Sequence, residues 1–193
     1  MRKLVVAEFV TLDGVIQAPG GADEDRDGGF AYGGWTRAYW HDDIGKHFAS
    51  VMKDVDAFLL GRRTYVTHAE AFEPMPEGNV FGDLMNRPAK YVVSKTLEKP
   101  LWRNTTVIRD DVVPAVRALK AQPGKDIFTD GSSQLVHTLL ENDLVDELRL
   151  LLYPLTVGHG KRLFADRVNA GFSLVEATPY PTGVVGLHYT RKR

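Results

Sequence analysis

The stretch that most constrains the fold is residues 127–154, with the sequence IFTDGSSQLVHTLLENDLVDELRLLLYP. A short β-prone run, residues 127–129, precedes a turn over residues 130–133 that consists of one glycine and three residues favoured at helix N-caps. Leucine and valine then recur at helical spacing over residues 135–140, and residues 145–153 are predicted to form a second strand. A crossover helix between two strands implies that the strands are parallel. The stretch therefore predicts an α/β fold.

The turn at residues 130–133 also carries a functional implication. A glycine turn that follows a strand and opens a helix is a place where a phosphate group can bind. Free backbone N–H groups and the positive end of the helix dipole meet there.

The remaining chain extends the same pattern, with six more predicted strands and three more predicted helices. Past Tyr153 the pattern changes to two strands joined by a turn at residues 180–183, which predicts an antiparallel hairpin. We therefore predict one α/β domain over residues 1–193, with three layers and a mixed, mostly parallel sheet of about eight strands. The six strands are predicted at Leu4–Val10, Asp56–Leu60, Ala89–Ser94, Thr105–Ile108, Phe172–Ala177 and Val185–Thr190, and the helices over residues 35–53, after Gly61 and over residues 112–119. Residues 72–88 are predicted to be a loop.

Composition excludes several classes of function. The 24 Lys and Arg residues balance 25 Asp and Glu residues, which gives no electrostatic case for a nucleic acid or membrane partner. The absence of cysteine excludes disulfides, thiol catalysis and cysteine-ligated zinc. No apolar segment approaches membrane-spanning length, and Glu8 interrupts the first apolar run too early for a secretory signal. A cytoplasmic protein is expected.

Residues 18–34 contain three glycine pairs with four acidic residues between them. A loop of this length within a compact domain is usually functional or disordered. We interpret it as a mobile lid or flap, and a disordered insertion is the alternative interpretation.

Three predicted strands end in turns of one kind, at residues 61–64, 94–96 and 130–133. Ligands of open α/β sheets bind beyond the carboxyl ends of the strands, so the three turns are expected to face one crevice. Together they offer backbone N–H groups, hydroxyls and the cations Arg62, Arg63 and Lys95. A dinucleotide is the natural ligand, and the number of cations favours NADP over NAD.

Other motifs of nucleotide binding and catalysis are missing from the sequence. No G-x-G-x-x-G follows a strand, since Leu163 occupies the third glycine position after Gly158 and Gly160. Neither a Walker A loop nor a G-x-S-x-G elbow is present. The six histidines are scattered, so no metal site is predicted.

Four segments, FVTLDGVIQAPG, FLLGRRTY, YVVSKTL and GSSQLVHTLLENDLVDELRLLLYPLTVGHGKRLF, resemble the dihydrofolate-reductase-like superfamily. The chain is most similar to the branch typified by the reductase domain of the bifunctional deaminase-reductase of riboflavin biosynthesis. The resemblance implies NADPH-dependent hydride transfer to a C=N or related bond of a pterin- or pyrimidine-like small molecule. The deaminase step is excluded because its zinc site needs cysteine ligands.

The resemblance also implies which residues bind the cofactor. By position they are Gly14, Val15 and Ile16 at the nicotinamide; Gly61, Arg62, Arg63 and Thr64 at the pyrophosphate and 2′-phosphate; Ser94, Lys95 and Thr96 on the adenosine side; and Asp130, Gly131, Ser132, Ser133, Gln134 and Leu135 at the glycine turn. The family often has Gly-Gly where this chain has Asp130-Gly131. An acid there would repel phosphate oxygens unless its side chain points away.

Candidates for chemistry and for substrate contact come from the segment after the lid. Asp42 and Asp43 correspond to the acid that binds substrate in dihydrofolate reductases, although acids in a first helical turn also serve the helix dipole. Trp35, Trp40 and Phe72 could stack on a flat heterocycle, or could belong to the core. Family resemblance further suggests a homodimer. The alternative to a reductase is a non-catalytic nucleotide-binding or regulatory module that kept the fold.

Overall fold

The computed structural model describes residues 1–192, and within this range eight strands form one sheet. The strands are β1 (Leu4–Thr11), β2 (Val55–Gly61), β3 (Ala89–Val93), β4 (Thr105–Ile108), β5 (Asp126–Thr129), β6 (Glu147–Tyr153), β7 (Phe172–Pro179) and β8 (Val185–Arg191). Their order in the sheet is β4-β3-β2-β5-β1-β6-β8-β7. All pairs from β4 to β6 are parallel, and β8 pairs antiparallel with both β6 and β7.

Helices cover both faces of this sheet. They are α1 (Asp42–Met52), α2 (Arg62–Phe72), α3 (Val80–Asn86), α4 (Val112–Ala121) and α5 (Ser133–Glu141). Successive strand residues point to opposite faces, so Ala57 and Leu59 of β2 pack in the core under α4 and α5. Phe58 and Leu60 pack in the core under α1, α2 and α3. The predicted three-layer, mixed α/β fold is confirmed.

A third apolar cluster lies beneath the glycine-rich loop, residues 18–34. Phe30 is buried in it and packs with residues of β6 and with Trp35. The backbone N–H of Gly34 donates to the carbonyl of Ala18 over 2.8 Å, which ties the two ends of the loop together. The loop is therefore folded onto the body of the protein by a buried aromatic anchor.

Two predicted boundaries were wrong. The segment 72–88 contains α3, because the Asn79 side chain accepts a hydrogen bond from the N–H of Gly82 at 2.8 Å and caps a helix there. The first helix begins at Asp42 rather than at Trp35. The Trp35 indole N–H donates to the carbonyl of Gln17 at 2.8 Å, which holds residue 35 against the loop instead.

Among residues 1–192, every helix is too short or too polar to form a membrane span.

Candidate functional site

Two adjoining cavities open at the carboxyl ends of the parallel strands. The first cavity has a volume of about 740 Å³ and is enclosed by β1, α1, α2, β6 and residues 16–25. The second cavity has a volume of about 470 Å³ and lies over the ends of β2, β3 and β5. Four residues line both cavities, which therefore share a boundary; they are Arg63, Ser132, Ser133 and Lys161.

The second cavity brings together the three turns that the sequence analysis singled out. Its lining includes Gly61, Arg62, Arg63, Ser94, Lys95, Thr96, Ser132, Ser133, Gln134 and Leu135. These residues come from the ends of three different strands, which lie side by side in the order β3-β2-β5. Parallel strands place their carboxyl ends at one edge of the sheet, and this is why turns far apart in sequence meet here.

The turns at residues 61–64 and 130–133 lie so close together that a side chain at Gly61 or Gly131 would clash with the other turn. The N–H of Gly61 donates to the carbonyl of Gly131 at 3.1 Å. A Cβ atom on Gly61 would lie only 2.2 Å from Oγ of Ser132, and one on Gly131 would lie 2.9 Å from Oγ1 of Thr64. The peptide bond between Gly131 and Ser132 is cis. Glycine at position 61 is therefore needed for the contact between the turns.

Two helices begin at the second cavity. α2 follows Gly61 and α5 follows Ser132, and neither N-cap residue makes a side-chain hydrogen bond to the helix. The first-turn N–H groups of both helices are thus left for another acceptor, and both helix dipoles present their positive ends. With Arg62 and Lys95 beside them, these amides make a surface suited to phosphate oxygens, although Asp27 also lines the cavity.

At the junction of the cavities, two cations are held by aspartates of the glycine-rich loop. Arg63 contacts Asp25 at 3.3 Å and also pairs closely with Asp27. The ammonium of Lys161 lies 2.5 Å from Asp25 and 3.0 Å from Asp27. The loop is thereby attached to the same residues that border the second cavity.

In the first cavity the most unusual group is Glu8, in the middle of β1. β5 ends at Thr129, opposite Val6, so β1 extends past its neighbour and Glu8 lies at the open side of the strand. Glu8 is 7% exposed as a residue, and within residues 1–192 its Oε1 is buried without a hydrogen-bond partner. Burial, together with the charges of Asp130 and Glu24, raises the pKa of Glu8 well above its ordinary value.

A second acid in the first cavity, Asp130, is paired with a histidine of α2. Nε2 of His68 lies 2.7 Å from Oδ2 of Asp130. Burial alone would lower the pKa of His68, but the charge of Asp130 and the hydrogen bond to it raise that pKa above its ordinary value. The other oxygen of Asp130, Oδ1, is buried and has no hydrogen-bond partner among the described residues. Asp130 therefore points toward His68, and it does not line the second cavity.

The remaining predicted cofactor residues divide between the cavities and the core. Thr64 and Ile16 line the first cavity. Val15 is fully buried beneath the glycine-rich loop. Gly14 has a φ of 83°, which a turn with glycine can adopt without strain, and it lines neither cavity.

The predicted catalytic and substrate residues are mostly elsewhere. Asp42 and Asp43 lie in the first turn of α1, where Asp43 pairs with Lys46 at 2.7 Å, and neither lines a cavity. Trp35 is buried against Tyr153, with ring centroids 5.2 Å apart, and Trp40 is exposed outside the cavities. Phe72 alone of the three aromatics lines the first cavity.

Neither Glu8 nor His68 was among the site residues predicted from the sequence. A signal for Glu8 existed, because a single carboxylate interrupts an otherwise apolar strand, LVVAEFV. No comparable signal marked His68, whose partner is 62 positions away. Within residues 1–192, no group of three or more His, Cys, Asp or Glu side chains is arranged to hold a metal ion.

Comparison with known proteins places this chain in a family. The model of the RibD C-terminal domain matches residues 2–185. Two uncharacterized proteins of Bacillus subtilis strain 168 are similar over nearly the whole chain. YyaP is 29% identical over 97% of this chain and 94% of its own, and YwjB is 26% identical over 98% of each.

Three solved structures share the fold. A candidate riboflavin biosynthesis protein from Shewanella sp. PV-4 has a TM-score of 0.70 at 19% identity, covering 99% of both chains. A pyrimidine reductase-like protein from Corynebacterium diphtheriae has a TM-score of 0.68 at 15% identity, covering 100% of this chain and 92% of that one. Dihydrofolate reductase from Enterococcus faecalis, complexed with NADP(H) and RAB-propyl, has a TM-score of 0.65 at 16% identity, covering 99% and 97%.

Proposed function

Because the chain belongs to the family of the RibD C-terminal domain, a family of dihydrofolate-reductase-like reductases, we propose that it transfers hydride from NADPH to a small pterin- or pyrimidine-like heterocycle. The observation that carries this proposal is the second cavity. Turns from three strands, two helix N-termini and the cations Arg62 and Lys95 converge there on one volume. This combination fits an extended ligand with several phosphates better than it fits any uncharged ligand.

The residues of the two cavities fit a dinucleotide that spans both. Ser132 and Ser133 border both cavities, and the backbone N–H groups at the start of α5 would approach a pyrophosphate there. Arg62 and Lys95 would hold the 2′-phosphate of the adenosine half. The other half would reach the first cavity, which is lined by the apolar Phe48, Phe72 and Leu151 as well as by polar groups.

We expect Arg62→Ala to raise the Kd for NADPH about tenfold or more and to leave the Kd for NADH within about twofold. A hydrogen bond to a charged group contributes about 1.5–3 kcal/mol, and only NADPH carries the 2′-phosphate. Isothermal titration calorimetry with both dinucleotides measures the difference. Arg117→Ala is the matched control, because Arg117 is exposed on α4 and lines neither cavity.

If neither dinucleotide binds to the unaltered protein, the proposal fails. If Arg62→Ala raised the Kd for NADPH and the Kd for NADH equally, the assignment of the 2′-phosphate to Arg62 in the second cavity would be contradicted. Binding of NADPH without its oxidation by any pterin or aminopyrimidine would favour the rival function, a nucleotide-binding module without turnover.

The proposal includes a homodimer and a cytoplasmic location. β7 forms one edge of the sheet, and the side chains of Leu174 and Val175 on this strand are each 55% exposed. An unpaired edge with exposed apolar residues favours association with a second strand. Light scattering after gel filtration should give a mass near twice 21.5 kDa, and Leu174→Lys should reduce it to the monomer value. A monomeric mass for the unaltered protein would contradict the pairing.

A further inference from the structure

We propose that Glu8 is the proton donor of the reaction, and that Asp130 in the same cavity accepts a hydrogen bond from a ring N–H of an uncharged substrate. This inference rests on the proposed function and adds the chemical roles of two acids to it. Neither Asp42 nor Asp43, the acids that the sequence favoured, reaches the cavity. The first cavity therefore needs its acid from another element.

Glu8 is suited to donate because its surroundings favour the protonated carboxyl. The side chain is almost completely buried, and Oε1 has no hydrogen-bond partner among residues 1–192. A buried carboxylate without a partner would lose several kcal/mol of hydration, so the group keeps its proton instead. A neutral carboxyl that lines a cavity is a hydrogen-bond donor and a general acid.

Asp130 is suited to the opposite role. Oδ2 of Asp130 lies 2.7 Å from Nε2 of His68, and against the effect of burial the charge of Asp130 and this hydrogen bond raise the pKa of His68 above its ordinary value. Oδ1 of Asp130 is then a buried acceptor with no partner among the described residues. The two acids of the cavity thus have different surroundings: Glu8 is buried without a hydrogen-bond partner for Oε1, which suits a proton donor, and Asp130 is paired with a histidine, which suits a hydrogen-bond acceptor.

Other charged groups around Glu8 leave this assignment intact. Glu24 of the glycine-rich loop and Asp130 both add negative charge that holds the Glu8 proton. Arg149 of β6 is engaged by Glu147, to which its Nη2 donates at 3.0 Å. His47 of α1 has its pKa lowered by burial and by Arg149, which favours the neutral imidazole.

The proposed step balances in atoms and charge. A bound dinucleotide would supply a hydride to the carbon of a C=N group, whose π bond breaks and leaves its electron pair on the nitrogen. The O–H bond of Glu8 breaks as its proton forms the N–H bond on the adjacent nitrogen. Glu8 is left as a carboxylate and regains a proton from solvent water after the product leaves. The ring N–H bound to Asp130 takes no part in the transfer and fixes the orientation of the ring.

The first test needs no turnover and uses the unfolding temperature of Glu8→Gln. Because the pKa of Glu8 is raised in the folded state, the folded protein keeps a proton that the unfolded chain releases above about pH 4.5. The stability of the unaltered protein should therefore fall as the pH rises toward the folded pKa, and the variant should lack this loss. Relative to the unaltered protein, we expect the Tm of the variant to rise by about 3–5 °C per pH unit from about pH 5 up to the folded pKa of Glu8.

Glu141→Gln, at the exposed end of α5, is the matched control and should show a constant Tm difference. A constant difference for Glu8→Gln as well would show that Glu8 is ionised in the fold and would overturn the proposal.

The second test measures NADPH oxidation with 7,8-dihydropterin and with 6-ribosylaminouracil as probes. Glu8→Gln should lower kcat about 10²–10⁴-fold, as expected for loss of a general acid, while the Kd for NADPH stays within about twofold. Glu8→Asp should recover part of the rate and keep the decline of rate at high pH, which the glutamine variant should lose. A purely structural role would not produce this difference between the two variants.

The outcomes separate the two proposals. If NADPH is oxidised and Glu8→Gln retains more than half of the rate, the proton-donor assignment is wrong and the reductase proposal survives. If NADPH binds and neither probe is reduced, the assignment of Glu8 is also overturned. If NADPH does not bind at all, the reductase proposal fails, and the thermal test still decides whether Glu8 keeps its proton.

Discussion

Replacing Gly61 with alanine is expected to weaken NADPH binding at least tenfold and to lower the free energy of unfolding by about 1–3 kcal/mol, the usual cost of overpacking a close contact. The φ of Gly61 is −71°, a value open to any residue, so the backbone conformation itself does not require glycine. Space requires it. The added Cβ would lie 2.9 Å from Cβ of Ser132 and 3.0 Å from its backbone N.

The Oγ of Ser132 could rotate away, but the backbone N can move only if the whole turn moves. That turn opens α5 and borders both cavities, so its displacement would misplace the N–H groups that we assign to the pyrophosphate. Calorimetric titration and urea unfolding measure the two effects. Gly171→Ala is the control, because the nearest atom to its added Cβ is 3.8 Å away. Unchanged NADPH affinity in Gly61→Ala would contradict the role of this contact.

The second large effect is expected from Glu147→Gln, which should cost about 2–3 kcal/mol of unfolding free energy at pH 7. Glu147 is 4% exposed and accepts hydrogen bonds from Lys3 at 2.7 Å, Arg149 at 3.0 Å and His188 at 3.0 Å. Removing the charge leaves these partners uncompensated, which typically costs 3–5 kcal/mol for a fully buried pair. We expect less because Lys3 is more than half exposed and screened by water.

The effect of Glu147→Gln should also depend on pH. Burial alone would raise the pKa of Glu147, but the hydrogen bonds and charges of Lys3 and Arg149 lower it below its ordinary value. A lowered folded pKa gives stability that is present above the unfolded pKa, about 4.3, and is lost as the pH falls through the folded value. Urea unfolding should therefore show a difference between variant and unaltered protein that shrinks in acid.

Glu176→Gln serves as the matched control for this series. Glu176 is exposed on β7, and its carboxylate accepts a hydrogen bond only from the nearby hydroxyl of Thr178 among the described residues. It should change the unfolding free energy by less than about 0.5 kcal/mol. A loss for Glu147→Gln no larger than for this control would show that the cluster around Glu147 contributes nothing to the fold.

The fold could be predicted from the sequence wherever a local pattern of residues is compatible with only one kind of secondary structure. A strand, a glycine turn and an amphipathic helix repeated along the chain, and parallel pairing then placed the turns after β2, β3 and β5 at one edge. Their convergence on the second cavity could be expected because it depends only on topology.

The first cavity could not be predicted in the same way, because its polar groups depend on register and on contacts between distant segments. Glu8 lies at an open position only because β5 stops opposite Val6. Asp130 faces His68 rather than a phosphate site because α2 places that histidine 2.7 Å away. Asp42 and Asp43 were favoured by family resemblance alone, and the later start of α1 leaves them in its exposed first turn.

The two sides of the first cavity differ in how firmly they are held. β1 is paired with β6 over Val5–Thr11 and with β5 over Leu4–Val6, so the amide of Glu8 should exchange hydrogen with solvent only when the centre of the sheet opens. Across the cavity, the amides of Gly20 and Gly21 are held by the exposed carboxylate of Glu24. For substrates of the proposed reaction that differ in bulk, we therefore expect displacement of residues 20–24 rather than of Glu8.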